Sequence, residues 1–170
     1  MGEPHTEIPA HFIMLGSAAH YHRQIVNASE LGGSLGEPKK TEQRHLEMLS
    51  AGFIVRLLPP WFENLGKRLV RSPKVFVRDS GLLHALLGIT DESVLFAHPK
   101  PAASWEGFAM EQILARVPGG EAYFWVTQGG AELDLFLTLS SQRVRFEFNV
   151  QDAPAMTRSM GSANADLKLD

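Results

Sequence analysis

Residues 129–150 limit the possible folds of this chain more than any other stretch, because their apolar side chains alternate. Over 132–139, Glu132, Asp134, Phe136 and Thr138 fall on one face and Leu133, Leu135, Leu137 and Leu139 on the other. The next stretch sets Arg145, Glu147 and Asn149 against Val144, Phe146, Phe148 and Val150. A period of two predicts a pair of β-strands joined by a turn at Ser140-Ser141-Gln142. With Ser141-Gln142 as a two-residue loop, Asp134 faces Asn149 and Phe136 faces Glu147. That register keeps one face dry and gathers the carboxylates on the other, the outline of a metal-site scaffold.

The rest of the chain is an ordinary globular sequence. Its 170 residues can bury a real core, and 44% of them are hydrophobic and 21% charged. No apolar run approaches the length of a membrane span, so no membrane partner is expected. The absence of cysteine excludes a disulfide framework and thiolate zinc sites, and fits a cytoplasmic location. The net charge of −3 conceals a division. Residues 38–78 hold nine Lys/Arg against Glu42, Glu47 and Glu63, so a basic block lies inside an otherwise acidic chain. Such a block points to nucleic acid or to a solvated face, and charge alone does not separate the two.

Taken in order, 1–10 reads as a loose end and 11–25 as a helix, with His20 and His22 as surface histidines. Asn27 caps a short helical stretch ending in glycines. Pro38 opens a second helix over 39–50, Gly52 stops it, and 53–58 is a strand. Extended patterns follow at 67–71 and 74–78. Helix, turn, helix and a basic hairpin form a winged-helix outline. In it Lys40, Gln43 and Arg44 face a groove of double-stranded DNA, and Lys67, Arg68 and Arg71 lie near phosphates. The same geometry serves equally as a packing connector. The Lys-Thr at 40–41 is no P-loop, because Lys39 replaces a required glycine and Pro38 removes a donor. No nucleotide site is expected in this chain.

Asp79 or Ser80 caps a helix through Leu82, Leu83, Leu86 and Leu87, stopped by Gly88. Residues 90–101 read as a polar connector. Ser104 is expected to cap a helix over 105–117, which turns Glu106 inward with Met110, Ile113 and Val117 and leaves Glu111 toward water. An inward acid asks for a partner or a cation, although a first-turn carboxylate also suits the helix dipole. An aromatic strand at 122–126 leads into the opening hairpin, and a weak helix at 156–167 ends the chain, which looks cut short.

Four runs together resemble a known family: LPPWFENLGKR at 58–68, KVFVRDSGLLHALLG at 74–88, SWEGFAMEQ at 104–112 and GAELD at 130–134. They resemble the C-terminal domain of unknown function that follows the ATPase module in bacterial and archaeal AAA-type ATP-binding proteins. The likeness runs from about Ala28 to the C-terminus, and residues 11–24 resemble the end of the ATPase lid. The resemblance implies an α/β fold: a lid-helix remnant at 1–26, a winged-helix-like domain at 27–78 and a PD-(D/E)xK nuclease-like domain at 79–170, truncated at the C-terminus. It implies Glu106 as helix acid, Asp134 as strand acid and Glu147 as the next acid, holding Mg²⁺, with Asn149 where the family's pattern has lysine. Glu106, Asp134 and Glu147 offer hard oxygen ligands. Asn149 supplies hydrogen bonds but no charge beside a developing phosphate anion. The expectation is therefore a DNA-binding or regulatory module of an AAA-type ATPase, inactive or feeble as a catalyst, with an ATPase module or homologous subunit as partner. A Mg²⁺-dependent nuclease and a protein-interaction scaffold are the alternatives.

Overall fold

The structure is a computed structural model that describes residues 9–27, 39–61, 72–127, 130–140, 142–149 and 156–167. It is a mixed helix-and-sheet fold. In chain order the elements are α1 (Ala10–His20), α2 (Lys39–Ala51), β1 (Val55–Leu58), β2 (Lys74–Val77), α3 (Ser80–Leu86), α4 (Glu92–Ala97), α5 (Pro101–Leu114), β3 (Glu121–Val126), β4 (Glu132–Leu139), β5 (Gln142–Phe146) and α6 (Arg158–Leu167).

The strands form two antiparallel groups, β1–β2 and β3–β4–β5. Backbone bonds stitch them together. Trp61 N–H donates to Phe124 O at 2.7 Å and Phe124 N–H to Pro59 O at 3.0 Å, so the chain leaving β1 runs beside β3. On the other side, Arg23 N–H donates to Val75 O at 2.8 Å and Val26 N–H to Pro73 O at 2.8 Å. The segment after α1 thus lies along β2 and brings Arg23 to the sheet.

Three apolar clusters hold these layers. Met14, Ala18 and Ala19 of α1 pack with Leu46 and Leu49 of α2, with Val75 and Val77, and with Leu83 of α3. Leu58 and Phe76 meet Met110 of α5 and Phe124, Leu135 and Leu137 of the sheet. Trp125, Leu133 and Phe136 pack under Ala163 and Leu167 of α6. Each fully buried side chain of this size is worth about 1.5–3 kcal/mol relative to exposure.

The hairpin has a different register from the one its alternation predicts. Leu135 pairs with Phe146 and Phe136 with Arg145, a slide of two residues, and Leu139–Gln142 closes the pair after Ser140 at φ 48°. A slide of two leaves every side chain on its face, so alternation cannot distinguish the two registers. Neither face of β4 is polar either. Residues 133–137 are all buried, because α6 covers the face that carries Phe136.

Local signals explain most helix ends. The Asp79 carboxylate accepts from Leu82 N–H at 2.6 Å and starts α3. Asp91 does the same for Val94 at 3.0 Å, so the stretch expected to be a polar connector contains α4. Helix α5 begins at Pro101, earlier than the expected Ser104 cap, because proline suits the first turn of a helix. At the end of α2, Ile54 N–H bonds Leu49 O and Phe53 N–H bonds Ser50 O, the double bond of a Schellman motif. The left-handed residue in that motif is Phe53, at φ 59°, rather than the glycine before it.

Candidate functional site

Helix α5 and strand β4 carry the two acids that meet. Glu106 projects from the buried side of α5 and is 2% exposed; Asp134 is buried in β4. Arg23 bridges them, pairing through Nε with Glu106 Oε2 and through Nη2 with Asp134 Oδ1 at 3.5 Å. The other Asp134 oxygen accepts from Phe148 N–H at 2.8 Å, just past the end of β5. Beside this group Lys74 of β2, 3% exposed, pairs with Glu132 of β4 and sits 5.1 Å from the centre of the Phe124 ring.

Burial, then the charge of Asp134, pushes the Glu106 carboxyl up to about 8, against the opposing pull of Arg23 and Lys74. Near neutral pH Glu106 therefore holds its proton more often than not. The charges then balance, with Arg23 and Lys74 set against Asp134 and Glu132. Glu106 Oε1 has no hydrogen-bond partner among the described residues.

The remaining residues singled out in the sequence lie elsewhere. Glu147 follows β5 and accepts from the hydroxyl of Thr157, which in turn accepts from Met160 N–H at 3.1 Å in the first turn of α6. Asn149 is exposed. Among the described residues, no cluster of three or more His, Asp or Glu side chains has a geometry suited to a metal ion. Lys40, Gln43 and Arg44 are exposed on α2, with Gln43 Nε2 donating to Glu47 at 2.9 Å. Lys67, Arg68 and Arg71, with the strand expected at 67–71, lie outside the described residues, as does the short helix expected after Asn27.

Sequence reasoning missed three participants. Arg23 carried no motif, and only the course of its segment along β2 brings it to the acids. Lys74 and Glu132 were legible as strand residues, but their pairing joins segments 58 residues apart. His22 is buried rather than on the surface. Its Nδ1 accepts from Val77 N–H at 3.1 Å, so Nε2 carries the proton and donates to Ala103 O at 3.0 Å. Burial lowers its pKa to about 4. Glu111, expected in water, pairs with Arg56 of β1 and with Arg78, the residue just after β2.

Residues 11–93 match a domain of unknown function, DUF8612. The match contains Arg23 and Lys74 and ends before the acids they neutralise. Two relatives extend the likeness across the site. The uncharacterised proteins Rv2008c of Mycobacterium tuberculosis and Mb2031c of Mycobacterium bovis are each 48% identical to this chain over 151 residues, 89% of its length. The chain spans 34% of the length of each. No solved structure matches.

Proposed function

We propose that the chain is a DNA-docking, regulatory module that performs no metal-dependent catalysis, and that it belongs beside an AAA-type ATPase. The observation that carries this reading is the Arg23 bridge. A catalytic Mg²⁺ would need the Glu106 and Asp134 oxygens that the guanidinium already engages, while Glu147 is held at the start of α6. On this reading the acids tie α5 to β4 and to the segment after α1. The exposed Lys40, Gln43 and Arg44 on α2 support docking to a phosphate backbone. That the aligned stretch covers only 34% of each mycobacterial relative supports a place within a larger protein.

Fluorescence anisotropy with a labelled duplex in low salt tests the proposal. Binding is expected to weaken steeply as salt rises, because each neutralised phosphate releases a counterion. The pair Lys40→Glu with Arg44→Glu should weaken it at least tenfold. Absence of low-salt binding would leave protein docking as the role of this face.

One observation favours a second reading as a Mg²⁺-dependent nuclease: the unpartnered Glu106 Oε1 beside Asp134. Mn²⁺ titration separates the two. Saturable binding lost in Asp134→Ala would support the nuclease reading, and cleavage should then rise in Asn149→Lys.

A further inference from the structure

Strand β5 ends its sheet. It pairs with β4 on one side, and among the described residues no strand or bridge lies along its other edge. Backbone groups in an antiparallel strand point alternately to its two sides. The Phe148 N–H, bonded to Asp134 of β4, shows which set faces inward. The N–H and C=O of Arg145 and Glu147 therefore face away from β4. The extended course holds past the last paired residue, because the Phe146 and Phe148 rings lie on one side, 6.3 Å apart and within 7° of parallel.

Such an edge fits a further strand, and its side chains say which one. Arg145 is half-buried, and its Nε has no hydrogen-bond partner among the described residues. Two positions on, Glu147 engages Oε2 with the Thr157 hydroxyl, which leaves Oε1 for a second donor. A cation and an anion two apart on one edge complement each other when the strand meets its own copy antiparallel.

Few registers are open to two β5 strands about a twofold axis. An axis between residues would set one face of the sheet against the other. Centred on Val144 it places Arg143 against Arg145, and centred on Arg145 or on Glu147 it places that residue against itself, all like charges. Centred on Phe146 it places Arg145 opposite Glu147 of the partner subunit, twice over, with Phe146 on Phe146 and Val144 on Phe148.

We infer that the chain self-associates through β5, two copies joining antiparallel about Phe146 so that two three-stranded sheets become one. The backbone bonds give the association its geometry, and the Arg145–Glu147 pairs give it its register.

Sedimentation equilibrium of the full chain tests this. A concentration-dependent dimer is expected, weakened in Arg145→Glu and in Glu147→Arg and recovered in the double variant, which exchanges the charges and keeps the pairing. Because the chain has no cysteine, single cysteines read the register. Phe146 meets its own copy in a non-hydrogen-bonded pair, where Cα atoms lie about 4.5 Å apart, within disulfide range. Oxidised Phe146→Cys should give a covalent dimer, and Val144→Cys, which faces Phe148, should not. A chain that stays monomeric, a dimer indifferent to both charge reversals, or cross-linking as ready at Val144→Cys as at Phe146→Cys would overturn the assignment.

Discussion

Arg23 reaches Glu106 from a backbone in the left-handed region, at φ 74°. For a residue with a Cβ that conformation costs about 1–2 kcal/mol, so the surroundings must hold it in place. They do so through Arg23 N–H to Val75 O, the Asp134 carboxylate and the Glu106 carboxyl group. Backbone strain and side-chain pairing thus coincide on one residue.

Arg23→Ala should therefore destabilise the fold. It relieves none of the backbone strain and leaves buried Asp134 without its counter-charge. Because the guanidinium is 40% exposed, the cost lies between that of a surface and a buried pair, about 1–3 kcal/mol. Urea unfolding of the variant beside the parent measures it. A loss well below 1 kcal/mol would mean that the bridge contributes little to the folded state.

Glu106 sets a pH dependence. Its carboxyl titrates near 4.5 when unfolded and near 8 when folded. Between those values the folded chain holds a proton that the unfolded chain has released, so this group's contribution falls as pH rises from about 4.5 to 8 and then levels. Glu106→Gln cannot ionise and should remove that fall. Parent and variant should agree near pH 4.5 and diverge upward, the variant the more stable by an amount on the order of a few kcal/mol. Urea midpoints from pH 4.5 to 8.5 decide it; parallel curves would contradict a raised Glu106.

His22 acts in the opposite direction at the acid end. Unfolded it takes a proton near 6.5, whereas folded it resists until about 4, so its contribution is lost as pH falls through that window. Its packing is equally demanding. A Cβ on Gly107 would come within 2.7 Å of His22 Nε2 and 2.8 Å of Cε1. Gly107→Ala should cost about 1–3 kcal/mol by overpacking and should disturb both bonds of His22. Thermal melts at pH 7, with the imidazole resonances as a second readout, check both effects.

Phe53 offers a stabilising change. Its left-handed φ favours glycine, and it is 76% exposed, so little packing is lost with the ring. The ring does lie 5.4 Å from the Arg78 guanidinium, a contact worth about 0.5–1 kcal/mol at the surface. Phe53→Gly should recover about 1–2 kcal/mol of strain and give a small net gain. A lower urea midpoint would show that the contact with Arg78 outweighs the backbone.

Several elements were legible because their causes lie within a few residues. Asp79 caps α3, Gly88 takes a left-handed φ just beyond it, and the alternation at 132–139 produces β4. The inward turn of Glu106 followed from helical spacing alone. Helix α4 was equally local, since Asp91 precedes Val94 and Leu95 as a cap should, but its polar flanks concealed it. The partners of the charged residues were not legible. Glu111 lies 55 residues from Arg56 and 33 from Arg78, and although burial pushes its carboxyl up, the bonds and charges of Arg56 and then Arg78 outweigh it and hold the carboxyl below its usual range.

By itself the sequence determined the periods and the cap of α3, because those depend on backbone geometry over one turn or one pleat. It did not determine the face of Leu133, since a break in the β3–β4 register between Tyr123 and Trp125 lets Leu133 pack with Phe136 under α6. Tertiary structure decided the hairpin register, the burial of the Phe136 face under α6, and the choice of Arg23 as the cation between Glu106 and Asp134. A slide of two residues or a change of partner leaves the local pattern intact; only the docking of distant segments separates such alternatives, through the burial and charge each one leaves unsatisfied.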